Sequence, residues 1–213
     1  MGIEVAAGSS PSRAGIQRLV DIVGAFALLL VSLPLLLIGV VLVAVTNGRP
    51  IFFGHERVGM GGKPFRCWKL RTMKVDAERA LDRDPALMER YKANGFKLPN
   101  GSDPRISPVG RLLRRTYVDE IPQLVNVLTG DMALVGPRPV VPAELDLFED
   151  GASVLLEVKP GVFGAWNSLG RARPPYPERA RLEVEYVRER SLARDVRILG
   201  RSVLAVLQGQ GEV

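Results

Sequence analysis

Two adjacent carboxylates, Asp119 and Glu120, have the clearest chemical potential in this chain. They stand in the run Thr116-Tyr117-Val118-Asp119-Glu120-Ile121-Pro122-Gln123-Leu124, ahead of apolar positions with helical spacing at Ile121, Leu124, Val125 and Leu128. Pro122 fits the first turn of such a helix, where a missing N–H costs nothing. Asp119 or Glu120 is then expected at or beside the N-cap, where orphan backbone N–H groups and the positive end of the dipole favour negative charge. The same geometry suits a substrate phosphate. Gly130 is the expected helix stop. An ordinary acidic cap satisfies the pattern equally well, so the neighbouring motifs have to decide.

Those neighbours are basic and rigid. Gly110-Arg111-Leu112-Leu113-Arg114-Arg115 reads as a short basic helix leading into the pair. It places Arg114 and Arg115 near two carboxylates, either as surface ion pairs or around a shared anion or metal. Downstream, Gly136-Pro137-Arg138-Pro139 holds one guanidinium between two prolines, which suits bidentate phosphate or carboxylate binding and also suits a rigid corner. Lys69 and Arg71 alternate with Trp68 and Leu70, so they share one face of an extended segment, solvated or facing a phosphate. The stretch from Lys159 to Arg171 is punctuated by Gly161, Gly164 and Gly170, carries Phe163 and Trp166, and has the character of a binding loop. Gly61-Gly62-Lys63 is not a P-loop, because the glycine spacing is wrong and no Ser or Thr follows the lysine. With one cysteine and one histidine, disulfides and Cys/His metal sites are excluded, and any divalent metal needs oxygen ligands, which points to magnesium or manganese.

The elements that must position these residues begin with a loose tail over residues 1–13. From Ile22 to Val45, 24 residues run without a charge, enough at about 1.5 Å per residue to cross a bilayer core. The segment is too long for a signal peptide and too apolar all round for a soluble helix. Pro34 sits in its middle and basic residues flank it on both sides, so a spanning helix and a re-entrant one are both open, with the C-terminal body in the cytoplasm either way. Residues 50–73 read as two strands around a glycine turn, and residues 75–93 as a charged surface helix broken near Pro85. Pro177 to Leu207 reads as helical, with Arg194, Arg197 and Arg201 opposite an apolar side, fitting an anionic membrane surface or packing on the body. The whole is an α+β, mostly helical fold: a membrane helix over 14–47 and a catalytic domain over 48–213. The net charge of +6, from 29 Lys+Arg and 23 Asp+Glu, favours phosphate-bearing partners without choosing among them.

The order of these motifs carries a resemblance. A basic-flanked apolar helix with a central proline precedes Phe65-Arg66-Cys67-Trp68-Lys69-Leu70-Arg71-Thr72-Met73, Asp103-Pro104-Arg105, Leu113-Arg114-Arg115-Thr116, the Asp119-Glu120 run, Gly130-Asp131-Met132 and Val135-Gly136-Pro137-Arg138-Pro139. Over about residues 14–208 the chain resembles the bacterial sugar transferases, the monotopic phosphoglycosyl transferases.

That resemblance implies transfer of a sugar phosphate from a UDP-sugar to polyprenol (undecaprenyl) phosphate at the cytoplasmic face of a bacterial inner membrane, releasing UMP. It implies Asp119 as the nucleophile of a covalent phosphosugar intermediate and Glu120 as the ligand of Mg2+. Lys69, Arg114, Arg138 and Arg171 fall on positions expected to contact phosphate or nucleotide. It further implies a re-entrant first helix, interfacial amphipathic helices, membrane lipid as a partner, no nucleic acid and room for a homodimer. Two stretches depart from the family pattern. Leu33 precedes Pro34 where serine is common, with Ser32 one residue earlier, and in the late loop Phe163 and Asn167 replace threonine and glutamine. Asp103-Pro104-Arg105 and the charged helix before it look more like members that transfer galactose or glucose phosphate. The competing class is a membrane-anchored basic module that binds anionic lipid or nucleic acid, which would leave the Asp-Glu pair idle.

Overall fold

The computed structural model describes residues 11–94, 96, 98 and 103–208, with the side chains of residues 11–14, 78, 171 and 207 outside that description. The fold is α+β and mostly helical, with one long apolar N-terminal helix, α1, over Pro11–Thr46. Helix therefore begins inside the stretch expected as tail, whose first ten residues lie outside the described ones. Pro34 lies within α1, and Ser32 Oγ bonds back to the Leu28 carbonyl at 2.7 Å, a local bond that weakens and bends helices.

The body is built on small sheets. Strands β1 (Phe52–Val58) and β2 (Pro64–Leu70) form the expected hairpin, with Phe52 opposite Leu70 and Val58 opposite Pro64. Strands β3 (Ala133–Val135) and β4 (Gly161–Phe163) pair in parallel. Between them run α2 (Ala77–Arg83), α3 (Pro85–Ala93), α4 (Pro108–Arg115) and α5 (Gln123–Thr129). The charged helix does break before Pro85, with Asp84 capping α3 through its carboxylate. A short helix α6 (Ala152–Leu155) precedes β4, and α7 (Glu178–Arg188) and α8 (Leu192–Leu207) close the chain.

The central core joins α1, β2, α5, β3, α7 and α8 through Ala25, Cys67, Leu124, Val127, Leu134, Tyr186 and Ile198. Both ends of α1 pack on it. On one side of Pro34, Arg18 donates to the carbonyls of Val127 and Leu128, satisfying the C-terminal end of α5, while Asp21 accepts from the Leu134 N–H. On the other side, Val43 is fully buried with Leu70 and Leu113, and Gly39 lies against Leu70 and Val118. Between these arms the apolar surface is bare, with Val31 80% exposed.

Three sequence expectations are corrected here. Arg71 is neither solvated nor facing a phosphate. It is buried, and its guanidinium donates to the carbonyls of Asn47, Gly48 and Arg49, which closes the turn after α1. The stretch 177–207 is two helices, because Ser191 takes an extended conformation and caps α8 by accepting from Arg194 N–H. Apolar residues also lie on both faces of α8. Ile198 and Ala205 are buried, whereas Leu192, Val196, Val203 and Leu204 are exposed.

Candidate active site

The Asp-Glu pair is not a helix cap. Tyr117 adopts a left-handed conformation (φ 58°), and the chain then makes a 3-10 turn over Val118–Glu120 before α5 begins, with Pro122 at its N-cap and no side-chain cap bond. Left-handed geometry in a non-glycine residue costs roughly 1–2 kcal/mol and is commonest where function demands it. Its effect here is to turn Asp119 inward, leaving it buried. The Tyr117 hydroxyl accepts from Arg173 Nη2 at 3.0 Å, which ties this turn to the late loop.

Glu120 faces a cleft lined by Arg57, Cys67, Lys69, Gln123, Arg138, Val162 and Asn167 among others. Lys69 Nζ donates to Glu120 Oε1 at 2.5 Å. This contact depends on how α5 is held against β2. The buried Asn126 side chain donates to the Arg66 carbonyl at 2.8 Å and accepts from the Trp68 N–H at 3.0 Å, supplying the outer edge of β2 with the bonds a third strand would make. Lys69 and Cys67 alternate with Trp68 on β2, so the same strand that exposes Trp68 turns the lysine toward the cleft.

Arg138 and Pro139 reach the cleft because β3 and β4 approach very closely at their ends. A Cβ on Gly161 would lie 2.0 Å from the Gly136 nitrogen, so neither chain has room for a side chain there. Beneath this turn lies Glu183 of α7, 1% exposed, with Oε1 accepting from the Arg138 N–H at 3.5 Å and Oε2 unpartnered. Burial pushes its carboxyl up to about 7, against the opposing pull of Arg179 and Arg138. A group that holds its proton more tightly when folded stabilises the fold below its unfolded value and loses that contribution as pH rises through its folded value. Stability is therefore expected to fall between about pH 4.5 and pH 7.5 through Glu183, by roughly 2–3 kcal/mol. Glu183→Gln should flatten that part of the curve in thermal melts taken across pH, and should melt higher than wild type at pH 8.

His55 behaves in the opposite sense. Burial, with Arg57 and Lys69 nearby, lowers it to about 4. Its neutral form is favoured in the fold, so its contribution is complete above pH 6.5 and is lost as pH falls toward 4. His55→Gln should remove roughly 1–2 kcal/mol of acid destabilisation over that window, read from denaturant unfolding at pH 7 and pH 4.5.

Of the residues singled out from sequence, Lys69, Glu120 and Arg138 meet on one cleft, and Asp119 is buried in the turn beside Glu120. Arg114 is directed elsewhere in part, its Nε donating to Thr72 Oγ1 at 2.9 Å. Arg171 lies in the 3-10 turn Asn167–Ala172, and its side chain is outside the described residues. Asp103 and Arg105 form a buried bidentate pair, with contacts of 2.8 and 2.7 Å, that lies off the cleft lining and so has a structural place. Sequence reading missed Arg57, Gln123 and the placement of Asn167. Arg57 looked like one of many flanking charges, yet it is held at the cleft by the Pro139 carbonyl (3.3 Å) and the Glu144 carboxylate (3.4 Å).

Three cationic side chains, Arg57, Lys69 and Arg138, thus surround Glu120 on the cleft, a balance that suits a multiply charged anion. Among the described residues no group of three or more Cys, His, Asp or Glu could hold a metal by itself. Glu120 is the carboxylate on the cleft that magnesium would bind, since that ion commonly takes one or two carboxylates and completes its shell with substrate phosphates and water.

Comparison with known proteins identifies the family. Residues 12–209 match the bacterial sugar transferase family. The chain is 39% identical over 200 residues to the UDP-galactose-lipid carrier transferase of Erwinia amylovora, covering 92% of this chain and 41% of that protein. It is 37% identical over 199 residues to the exopolysaccharide production protein ExoY of Rhizobium meliloti, covering 92% and 87%. It is 39% identical to the undecaprenyl-phosphate galactose phosphotransferase of Salmonella typhimurium, again over 92% of this chain and 41% of the relative. The chain therefore spans about two fifths of the first and third of these relatives and most of the second. A match over nearly its whole length, together with an Asp-Glu turn set against a cationic cleft, makes this chain a member of the bacterial sugar transferase family.

Proposed function

We propose that this protein transfers a sugar-1-phosphate from a UDP-sugar to polyprenol phosphate in two steps through Asp119. The observation that carries the reading is the buried Asp119 in one turn with Glu120, beside a cleft lined by Arg57, Lys69 and Arg138. The names of the Erwinia and Salmonella relatives, a UDP-galactose-lipid carrier transferase and an undecaprenyl-phosphate galactose phosphotransferase, support the same chemistry.

In the first step an Asp119 carboxylate oxygen attacks the phosphorus that carries the sugar. A new P–O bond to the aspartate forms, the bridging P–O bond breaks, and UMP leaves with the electron pair. In the second step a phosphate oxygen of polyprenol phosphate attacks the same phosphorus, forming the diphosphate and returning the carboxylate. A carboxylate approaches an anionic phosphate slowly unless the charge is screened, and the guanidinium of Arg138 and the ammonium of Lys69 supply fixed positive charge for that purpose. Arg114 and Arg171 are proposed to add phosphate or nucleotide contacts. Glu120 would hold magnesium, which when bound would neutralise charge on the donor's diphosphate.

The packing of α1 supports a helix that enters and leaves the same membrane face. Arg18 and Asp21 on one side of Pro34 and Gly39 and Val43 on the other all touch one body. A straight spanning helix would carry one of these ends across a hydrocarbon core about 30 Å thick. On this reading the cleft lies close to a bilayer surface, where a lipid-linked phosphate arrives, and the basic flank after α1 favours the cytoplasmic face.

The test is the intact mass of the purified protein after incubation with magnesium and a panel of UDP-sugars, without lipid acceptor. Gain of one sugar phosphate together with released UMP is the expected outcome. If no adduct forms and no UMP appears even after polyprenol phosphate is added, the reading fails and the binding-module alternative takes its place.

A further inference from the structure

The cleft is lined by residues with polar atoms that the two-step chemistry leaves unused. Asn167 is 8% exposed, lines the cleft, and its Oδ1 has no hydrogen-bond partner. Arg57 lines the same cleft. Its Nη1 is occupied by the Pro139 carbonyl and the Glu144 carboxylate, but its Nε is buried and unpartnered. A buried acceptor without a partner is unfavourable, and so is a buried donor, and native proteins keep few of either. Here one of each belongs to a residue that lines the same cleft. The late 3-10 turn that carries Asn167 is fixed independently of its side chain. Trp166 Nε1 donates to the Pro174 carbonyl at 2.7 Å, Ser168 Oγ donates to the Ala165 carbonyl at 2.8 Å, and Ser168 N–H donates to the Gly164 carbonyl. The turn does not need the Asn167 amide to hold its shape.

We propose that Asn167 determines specificity for the donor: its Oδ1 accepts a hydrogen bond from an N–H or O–H of the uridine nucleotide-sugar, and Arg57 Nε donates to a neighbouring oxygen. The inference rests on the proposed function and deepens it. The ligand chemistry is a hydrogen-bond donor together with an acceptor, which the imide edge of uracil offers and which a sugar hydroxyl also offers. Lys69, Glu120 and Arg138 are assigned to the phosphates, which leaves this polar pair to the rest of the donor. A site that hydrogen-bonds a buried partner rejects analogues lacking that group strongly, because its own polar atoms are then left unpaired.

The experiment compares full-length wild type with Asn167→Leu and Asn167→Gln, measuring UMP and UDP-sugar binding by calorimetry and thermal unfolding without nucleotide. Asn167→Leu should bind the UDP-sugar about ten- to a hundredfold more weakly while melting no lower than wild type, since the free protein loses no hydrogen bond. Asn167→Gln, which returns an amide, should recover part of the affinity. If UMP binding falls in parallel, the contact is to the nucleoside. If UMP binding is unchanged and only the UDP-sugar is affected, the contact is to the sugar. Equal affinities for wild type and Asn167→Leu overturn the inference, as does a lower melting temperature large enough to show that the amide serves the fold. Wild type that binds no uridine nucleotide at all overturns the proposed function as well, so the two failures are distinguishable.

Discussion

Asp119→Asn is expected to lower UMP release by at least about 10³-fold and to abolish the mass adduct, while leaving the protein folded. Removing a covalent nucleophile commonly costs several powers of ten, because catalysis then rests on binding and electrostatics alone. Asparagine has nearly the same shape as aspartate, and the 4% exposure of Asp119 means that shape matters at this position. Glu120→Gln provides the contrast. Its carboxylate pairs with Lys69 on the cleft, and its loss should raise the magnesium requirement and slow adduct formation without eliminating it. Intact mass with UDP-sugar, UMP release and thermal unfolding on the two variants separate these roles. An Asp119→Asn protein that still becomes labelled would remove Asp119 from the mechanism.

Gly161→Ala is expected to be the most damaging small substitution next to the site. The added methyl would sit 2.0 Å from the Gly136 nitrogen and 2.6 Å from its Cα, both backbone atoms that cannot rotate away. Around this point Gly136 N–H donates to the Phe163 carbonyl at 3.0 Å and Gly161 N–H to the Pro137 carbonyl at 2.9 Å, so the two chains can separate only by breaking their own ladder. We expect a loss of about 3 kcal/mol or more, which for a chain of this size is a fall of roughly 6–12 °C in melting temperature. Activity should fall further than stability alone accounts for, because Arg138 and Pro139 follow directly from this crossing onto the cleft. Gly200→Ala is the matched control. Nothing lies within 4 Å of its added Cβ, it is in the middle of α8, and it should be neutral or stabilising by about 0.5–1 kcal/mol. Equal melting temperatures for the Gly161 variant and wild type would show that the crossing is looser than its geometry indicates.

Much of this protein is legible in its sequence because it is written in local patterns. An uninterrupted apolar run determines α1, two β-rich stretches around glycines determine the hairpin, and Asp84-Pro85 and Ser107-Pro108 mark helix starts whose side chains do cap. Gly130 ends α5 in the left-handed conformation, φ 95°, as its position after the apolar run implies. The family resemblance singled out Lys69, Asp119, Glu120 and Arg138, and three of these share one cleft with the fourth buried beside them. Tertiary structure decided what depends on partners distant in the chain. Arg71 follows Lys69 by two residues, yet it closes the turn after α1 because the carbonyls of residues 47–49 end there without other partners. Asn126 sits on an ordinary-looking helix, and its role as the edge of β2 is made by contacts 58 and 60 residues away. Arg57 carries the same charge as its neighbours and differs from them only because Glu144 and the Pro139 carbonyl, more than 80 residues later, hold it at the cleft. A sequence displays charge, spacing and local conformational preference directly. Which of its many cations is buried against an anion, and which unpaired amide faces a cavity, is determined only when distant segments meet and water is excluded between them.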